Sequence, residues 1–126
     1  MNRNSIAFPW LGSLTIGGIL IFNVNQVLAQ VTPDNTLWNE SSVVNTRDET
    51  SDSIDGGAVR GQNLFHSFQE FNVDAGRGVY FANPEAVNNI FSRVTGNNVS
   101  NILGTLGVDG AANLFLINPN GIVFGP

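Results

Sequence analysis

The sequence predicts an all-β chain of short strands, with a parallel solenoid favoured over a two-sheet sandwich. Three observations carry that expectation. First, short apolar or alternating runs recur at Val79–Phe81, Ile90–Val94, Ile102–Leu106, Leu114–Ile117 and Ile122–Phe124. Their centres lie roughly 8–12 residues apart, the beat of sandwiches, barrels and solenoids. Second, asparagine and glycine mark the breaks: Asn83-Pro84, Thr95-Gly-Asn-Asn98, Gly107-Val-Asp-Gly110 and Asn118-Pro-Asn-Gly121. Sharp solenoid corners favour such residues, where Asn stacks or takes the left-handed region. Third, Leu114–Ile117 is apolar throughout, whereas a sandwich strand alternates inside and outside.

The segment from Asn113 to Gly125 organises the rest. It reads as strand, turn, strand, with Pro119 pre-setting φ and the Asn120-Gly121 pair tolerating φ > 0. Before it, Gln30 to Thr46 is polar, with Trp38, Val43 and Val44 as candidate strand residues. Arg47 to Gly57 reads as a turn-rich loop carrying Asp48, Glu49, Asp52 and Asp55. Leu64, Phe65, Phe68 and Phe71 fit either an amphipathic helical turn or strand pieces meeting at a corner, and strand is favoured by the β character around them. Ala86–Ile90 could hold a helical turn, but is short and rich in asparagine.

At the amino end, Arg3, an apolar stretch from Ile6 to Phe22 and the small-x-small triplet Val27-Leu28-Ala29 follow the order of a secretory signal peptide. A membrane anchor is the alternative. The stretch carries Pro9 and glycines and falls short of the ~20 apolar residues that a span needs. The expected organisation is therefore a signal peptide over 1–29, read by the Sec export machinery, and one folded unit over 30–126. That unit has four arginines, ten acidic residues and no lysine. Such a charge disfavours nucleic acid and anionic lipid as partners. There is no cysteine, so stability outside the cell must rest on packing and hydrogen bonds.

No residue pattern here argues for catalysis, a cofactor or a metal. His66 is the only histidine, too little for a zinc site or a placed triad. The four early acids do not follow a calcium-loop order. Gly76-Arg-Gly-Val-Tyr-Phe81 lacks the third glycine of a dinucleotide fingerprint. The candidate functional residues are Asn118, Pro119, Asn120, Gly121 and Ile122, read either as a recognition element or as a turn fixing a corner. Arg93 is read either as a partner contact or as a cation paired with an acid or capping strand carbonyls.

Three runs together resemble a known family: Asn89-Ile-Phe-Ser-Arg-Val-Thr-Gly96, Ile102-Leu-Gly-Thr-Leu-Gly107, and Ala112 through Gly125 with its Asn-Pro-Asn-Gly-Ile core. They are similar to the secretion domain of filamentous-haemagglutinin-type exoproteins of two-partner secretion, in a style resembling cyanobacterial members. The resemblance runs from about Val31 to Pro126. It implies a right-handed parallel β-helix with N-terminal capping strands. It also implies recognition by an outer-membrane β-barrel transporter through its periplasmic domains, passage in an extended state, and folding outside the cell. The family's Asn-Pro-Asn-Gly-Ile motif falls on Asn118–Ile122. Its second motif, Asn-Pro-Asn-Leu, has a partial counterpart in Asn83 and Pro84, followed here by Glu85-Ala86.

The family's domain is usually longer, so the chain is expected to be the N-terminal part of a larger exoprotein, with an adhesive role toward a host or neighbouring-cell ligand as one expectation for the whole. The competing expectations are a fragment of a β-helical polysaccharide-acting enzyme and the delivery region of a toxin.

Overall fold

The computed structural model describes residues 30–126, so the expected signal peptide lies outside the described residues. The chain is all-β. Among the described residues, eleven strands alternate with turns, and the one helical piece is a 3-10 turn at Trp38–Glu40. The strands are β1 (Val31–Pro33), β2 (Ser42–Asp48), β3 (Ser51–Gly56), β4 (Ala58–Arg60), β5 (Asn63–Phe71) and β6 (Gly78–Ala82). They continue with β7 (Asn89–Val94), β8 (Ser100–Ile102), β9 (Thr105–Asp109), β10 (Asn113–Ile117) and β11 (Ile122–Phe124).

Three parallel ladders run through the molecule. One pairs β3 with β6 and β6 with β9. The second pairs β5 with β7 and β7 with β10. The third pairs β8 with β11, and a parallel bridge from Val73 to Ile102 extends it. The chain therefore visits the same three sheets in the same order three times: β3, β5 and Val73, then β6, β7 and β8, then β9, β10 and β11. Antiparallel strands cover the outer edge of the first circuit. β2 lies on β3, while β1 and β4 lie end to end on β5. The unpaired N–H and C=O groups of that edge are thereby satisfied.

The interior between the sheets is built from inward rows. Leu64 stacks in register on Ile90 and then Leu114, and Ile54 on Phe81 and then Val108. Phe68, Phe71 and Phe81 are fully buried, with Phe71 and Phe81 stacked at 5.8 Å. Burying such aromatic surface in a single cluster is the main apolar driving force available to a chain without disulfides.

Several local expectations change in detail. Leu64 to Phe71 lies in one nine-residue strand rather than in pieces around a corner. Leu64, His66 and Phe68 point inward on it because strand side chains alternate. The polar stretch Arg47–Gly57 is a hairpin leg rather than a loop, since an outer sheet face accepts polar side chains. The run Ile102–Leu106 is split at Gly104 into β8 and β9, where any Cβ would collide with the Arg77 and Asp74 carbonyls. Ala86 sits in a tight turn, not a helical one, with a φ of 72°.

Candidate functional site

The Asn-Pro-Asn-Gly corner follows from its own residues. Asn118 opens the turn, Pro119 takes the second position, and Gly121 closes it with its N–H donating to the Asn118 carbonyl at 3.0 Å. These are the residue preferences of a type I turn. Asn118 Oδ1 accepts from the Asn120 N–H at 2.9 Å, an Asx bond that reinforces the bend. Of the Asn120-Gly121 pair, only Gly121 takes a positive φ, 116°.

The two asparagine side chains are spent on the previous circuit. Asn118 Nδ2 donates to the Asn98 carbonyl and to Ser100 Oγ, both at 2.9 Å. Asn120 Nδ2 donates to the Gly96 carbonyl at 2.8 Å. Ser100 N–H donates in return to the Gly121 carbonyl at 3.1 Å. Ile122 then enters β11 opposite Ser100 and packs against the core. The corner is thus built directly upon the corner Gly96–Ser100.

Other corners use the same device. Asn72 Oδ1 accepts from Asn101 N–H at 2.9 Å. Asn83 holds its own turn through bonds from Nδ2 to the Pro84 and Val87 carbonyls, and its Oδ1 accepts from Ala112 N–H at 2.9 Å. Asparagine at these corners works by pairing with backbone groups of a neighbouring circuit, which strand ladders leave unpaired. It does not work through the left-handed region, since the non-glycine residues with positive φ among those described are Trp38 and Ala86.

Arg93 lies on the outer face of β7. Its Nε donates to Ser67 Oγ and an Nη to Thr36 Oγ1, both at 2.8 Å. Those hydroxyls in turn donate to Asp34, Ser67 at 2.8 Å and Thr36 at 2.7 Å. Burial would raise the Asp34 pKa, but hydrogen bonds from Thr95, from the Thr36 hydroxyl and N–H, and from Ser67 outweigh it and lower it to about 2. Arg93 therefore reaches an acid through two hydroxyls. The other three described arginines sit against carboxylates directly, as Arg47–Asp109, Arg60–Glu40 and Arg77–Asp52.

Arg93 and Ile117 join two depressions on this face. One, of about 340 Å³, is walled by Leu37, Phe65 and Phe91. The other, of about 510 Å³, runs from Thr95 and Gly96 to Pro119 and Asn120. The fold thus brings Arg93 beside Pro119 and Asn120 along one groove. Asn83 and Pro84 stand apart from it, at the corner between β6 and β7. A further depression on the opposite sheet holds Arg47 and Arg77, but Arg47 lies 4.4 Å over the Tyr80 ring and both arginines are engaged by acids.

The groove borders a repeat that the apolar-run reading passed over. Asn63-Leu-Phe65, Asn89-Ile-Phe91 and Asn113-Leu-Phe115 open three successive strands of one ladder. Their outward asparagines bond in series, with Asn89 Nδ2 to Asn63 Oδ1 at 3.2 Å and Asn113 Nδ2 to Asn89 Oδ1 at 3.1 Å. Their phenylalanines stack in series, with centroids 5.3 and 4.9 Å apart. The repeat is visible in the sequence as Asn-[Leu/Ile]-Phe at spacings of 26 and 24 residues.

The remaining candidates have structural partners. His66 is buried between Phe68 and Phe81, with Nδ1 2.8 Å from Ser42 Oγ. Burial lowers its pKa to about 4, against an opposing pull from Asp55. Asp48 accepts from Thr50 N–H at 2.9 Å in the β2–β3 turn. Among the described residues, no three of His, Cys, Asp or Glu gather in a metal-binding arrangement.

The family model of the TPS secretion domain, the two-partner secretion module, matches residues 29–126. The chain belongs to the TPS secretion domain family. It is the N-terminal domain of a two-partner secretion exoprotein, and the family is one of secretion-targeting modules. The asparagine-tied corner, the Arg93 groove and the Asn-x-Phe ladder are thus features of a TPS domain. Comparisons with curated proteins and with solved structures return no match.

Proposed function

We propose that residues 30–126 form the part of a two-partner secretion exoprotein that an outer-membrane β-barrel transporter binds through its periplasmic domains. In this reading the three circuits are coils of a right-handed parallel β-helix. The handedness is supported by the strong preference of parallel strand crossovers for the right-handed sense. The chain would reach the periplasm by its signal peptide and the Sec machinery. There the folded corner would be read, and the chain would then cross the outer membrane extended and refold outside, with each coil laid on the one before. An adhesive role at the cell surface would belong to the exoprotein as a whole.

The single observation that carries the reading is the position of Asn118–Ile122. The motif is fastened to Gly96–Ser100 by its own side chains, while Pro119 and Asn120 stay exposed beside Arg93 and Ile117. Its first task in this reading is to fix the corner, and recognition follows from the surface so fixed. Arg93 supplies the positive charge there, and its hydroxyl partners leave it without a carboxylate within 4 Å among the described residues.

The test is a secretion assay with the cognate transporter. Gly121→Val forces a β-branched residue into a φ of 116° and should abolish export. Arg93→Gln should reduce it while the protein still folds. Wild-type export by both variants would remove this corner and its groove from the mechanism.

A further inference from the structure

The sequence holds one Asn-Gly pair, Asn120-Gly121, at the corner that fastens the third circuit to the second. We propose that this pair is a spontaneous deamidation site that folding closes. Asparagine is chemically labile, and a following glycine leaves the attacking backbone nitrogen unhindered by any Cβ. In the reaction, base removes the Gly121 amide proton and the Gly121 nitrogen attacks Asn120 Cγ. A new N–Cγ bond forms, the Cγ–Nδ2 bond breaks, and ammonia leaves with a proton returned from solvent. Water then opens the resulting succinimide. Attack at Cγ gives aspartate, and attack at the Asn120 main-chain carbonyl gives isoaspartate. No oxidant or reductant takes part.

The folded corner blocks each requirement. The Gly121 N–H is donated to the Asn118 carbonyl at 3.0 Å, and the Gly121 carbonyl accepts from Ser100 at 3.1 Å. The Asn120 amide is held by the Gly96 carbonyl at 2.8 Å and by Asn118 Oδ1 at 3.1 Å. The nitrogen and the carbon that must meet are therefore each tied to different groups, and the peptide plane between them is held through its N–H. Exposure does not open the site, because Asn120 is solvent-exposed in the same corner.

The consequence is a chemical clock on the unfolded chain. While Asn120-Gly121 is extended, deamidation proceeds. Once Gly96–Ser100 is in place to receive the asparagines, it stops. A chain that has already reacted carries a carboxylate where the Gly96 carbonyl needs a donor, and in the isoaspartyl form an extra backbone methylene as well. That chain cannot rebuild the tie. The inference depends on the corner alone and holds whichever partner reads the folded surface.

The experiment incubates the purified protein in native buffer and in concentrated urea at one mildly alkaline pH, then digests it and follows the Asn120 peptide by mass spectrometry. The other asparagines serve as internal references. The native rate should be at least about tenfold below the rate in urea, because reaction must wait for local opening of the corner. Asn118→Ala, with its fold checked by circular dichroism, removes the Oδ1 bonds to Asn120 and the Nδ2 bonds to Asn98 and Ser100, and should raise the native rate above that of wild type. A native rate equal to or above the urea rate overturns the proposal. A folded Asn118→Ala protein that deamidates no faster than wild type overturns the role given to the corner bonds.

Discussion

Asn120 donates its side-chain amide to the Gly96 carbonyl at 2.8 Å, joining two corners that lie 24 residues apart in the chain. Gly96 is itself buried, and a Cβ on it would overlap the Gln69 carbonyl. The bond therefore satisfies an acceptor that water reaches poorly, at a site with no room for a side chain. Asn120→Ala should cost about 1–2 kcal/mol, the loss expected when a buried acceptor goes unpaired. Urea denaturation of wild type and variant measures it.

Ala86 makes the opposite case. It holds a φ of 72° at the third position of a turn closed by Val87 N–H to the Pro84 carbonyl at 3.1 Å. A turn of this kind prefers glycine there, since a Cβ is disfavoured in the left-handed region. Ala86→Gly should raise stability by about 0.5–1 kcal/mol, net of the extra freedom glycine gives the unfolded chain. Thermal unfolding followed by circular dichroism checks the sign.

Phe91 stacks on Phe65 at 5.3 Å and on Phe115 at 4.9 Å. Phe91→Ala removes both stacks at once and should destabilise by about 2 kcal/mol, above the figure for Phe65→Ala or Phe115→Ala, since each stacked pair contributes about 0.5–1.5 kcal/mol beyond burial. Equal losses at the three positions would show that the series carries no stacking energy of its own.

His66 sets a pH dependence. Its folded pKa of about 4 lies below the ordinary imidazole value of about 6.5, chiefly through burial. The unfolded chain therefore binds the proton first, and stability falls as the pH drops from about 6.5 to about 4. Asp34, lowered to about 2 by its hydrogen bonds against the effect of burial, acts in a lower window. The stability it gives is present above its unfolded value near 4 and is lost as the pH falls toward 2. His66→Gln should flatten the upper window and leave the lower one, as read from urea midpoints across the pH range.

The strand positions near Phe81, Val94, Ile117 and Phe124 were legible because their apolar runs are bounded by Asn, Gly and Pro. The Asn118–Gly121 corner was legible for the same reason: turn chemistry is local. The Asn-x-Phe ladder was harder to see, because its members lie on separate circuits and their spacing shifts from 26 to 24 residues. Arg93 was legible as a candidate but not its partners. Ser67 meets it through the pairing of β5 with β7, and Thr36 and Asp34 only through the antiparallel strand β1 lying on β5. His66 read as a lone polar residue, and only the alternation of β5 turns it into the core, beside Ser42.

The central claim is that the corner and the groove beside it are read by a transporter's periplasmic domains. The direct measurement is the affinity of those domains, taken from the cognate transporter, for the purified protein and for its Arg93→Gln and Gly121→Val variants. The account predicts saturable binding of the wild type, weakened by at least about tenfold, or about 1.4 kcal/mol, in each variant. No binding of the wild type, or one affinity shared by all three proteins, would contradict it.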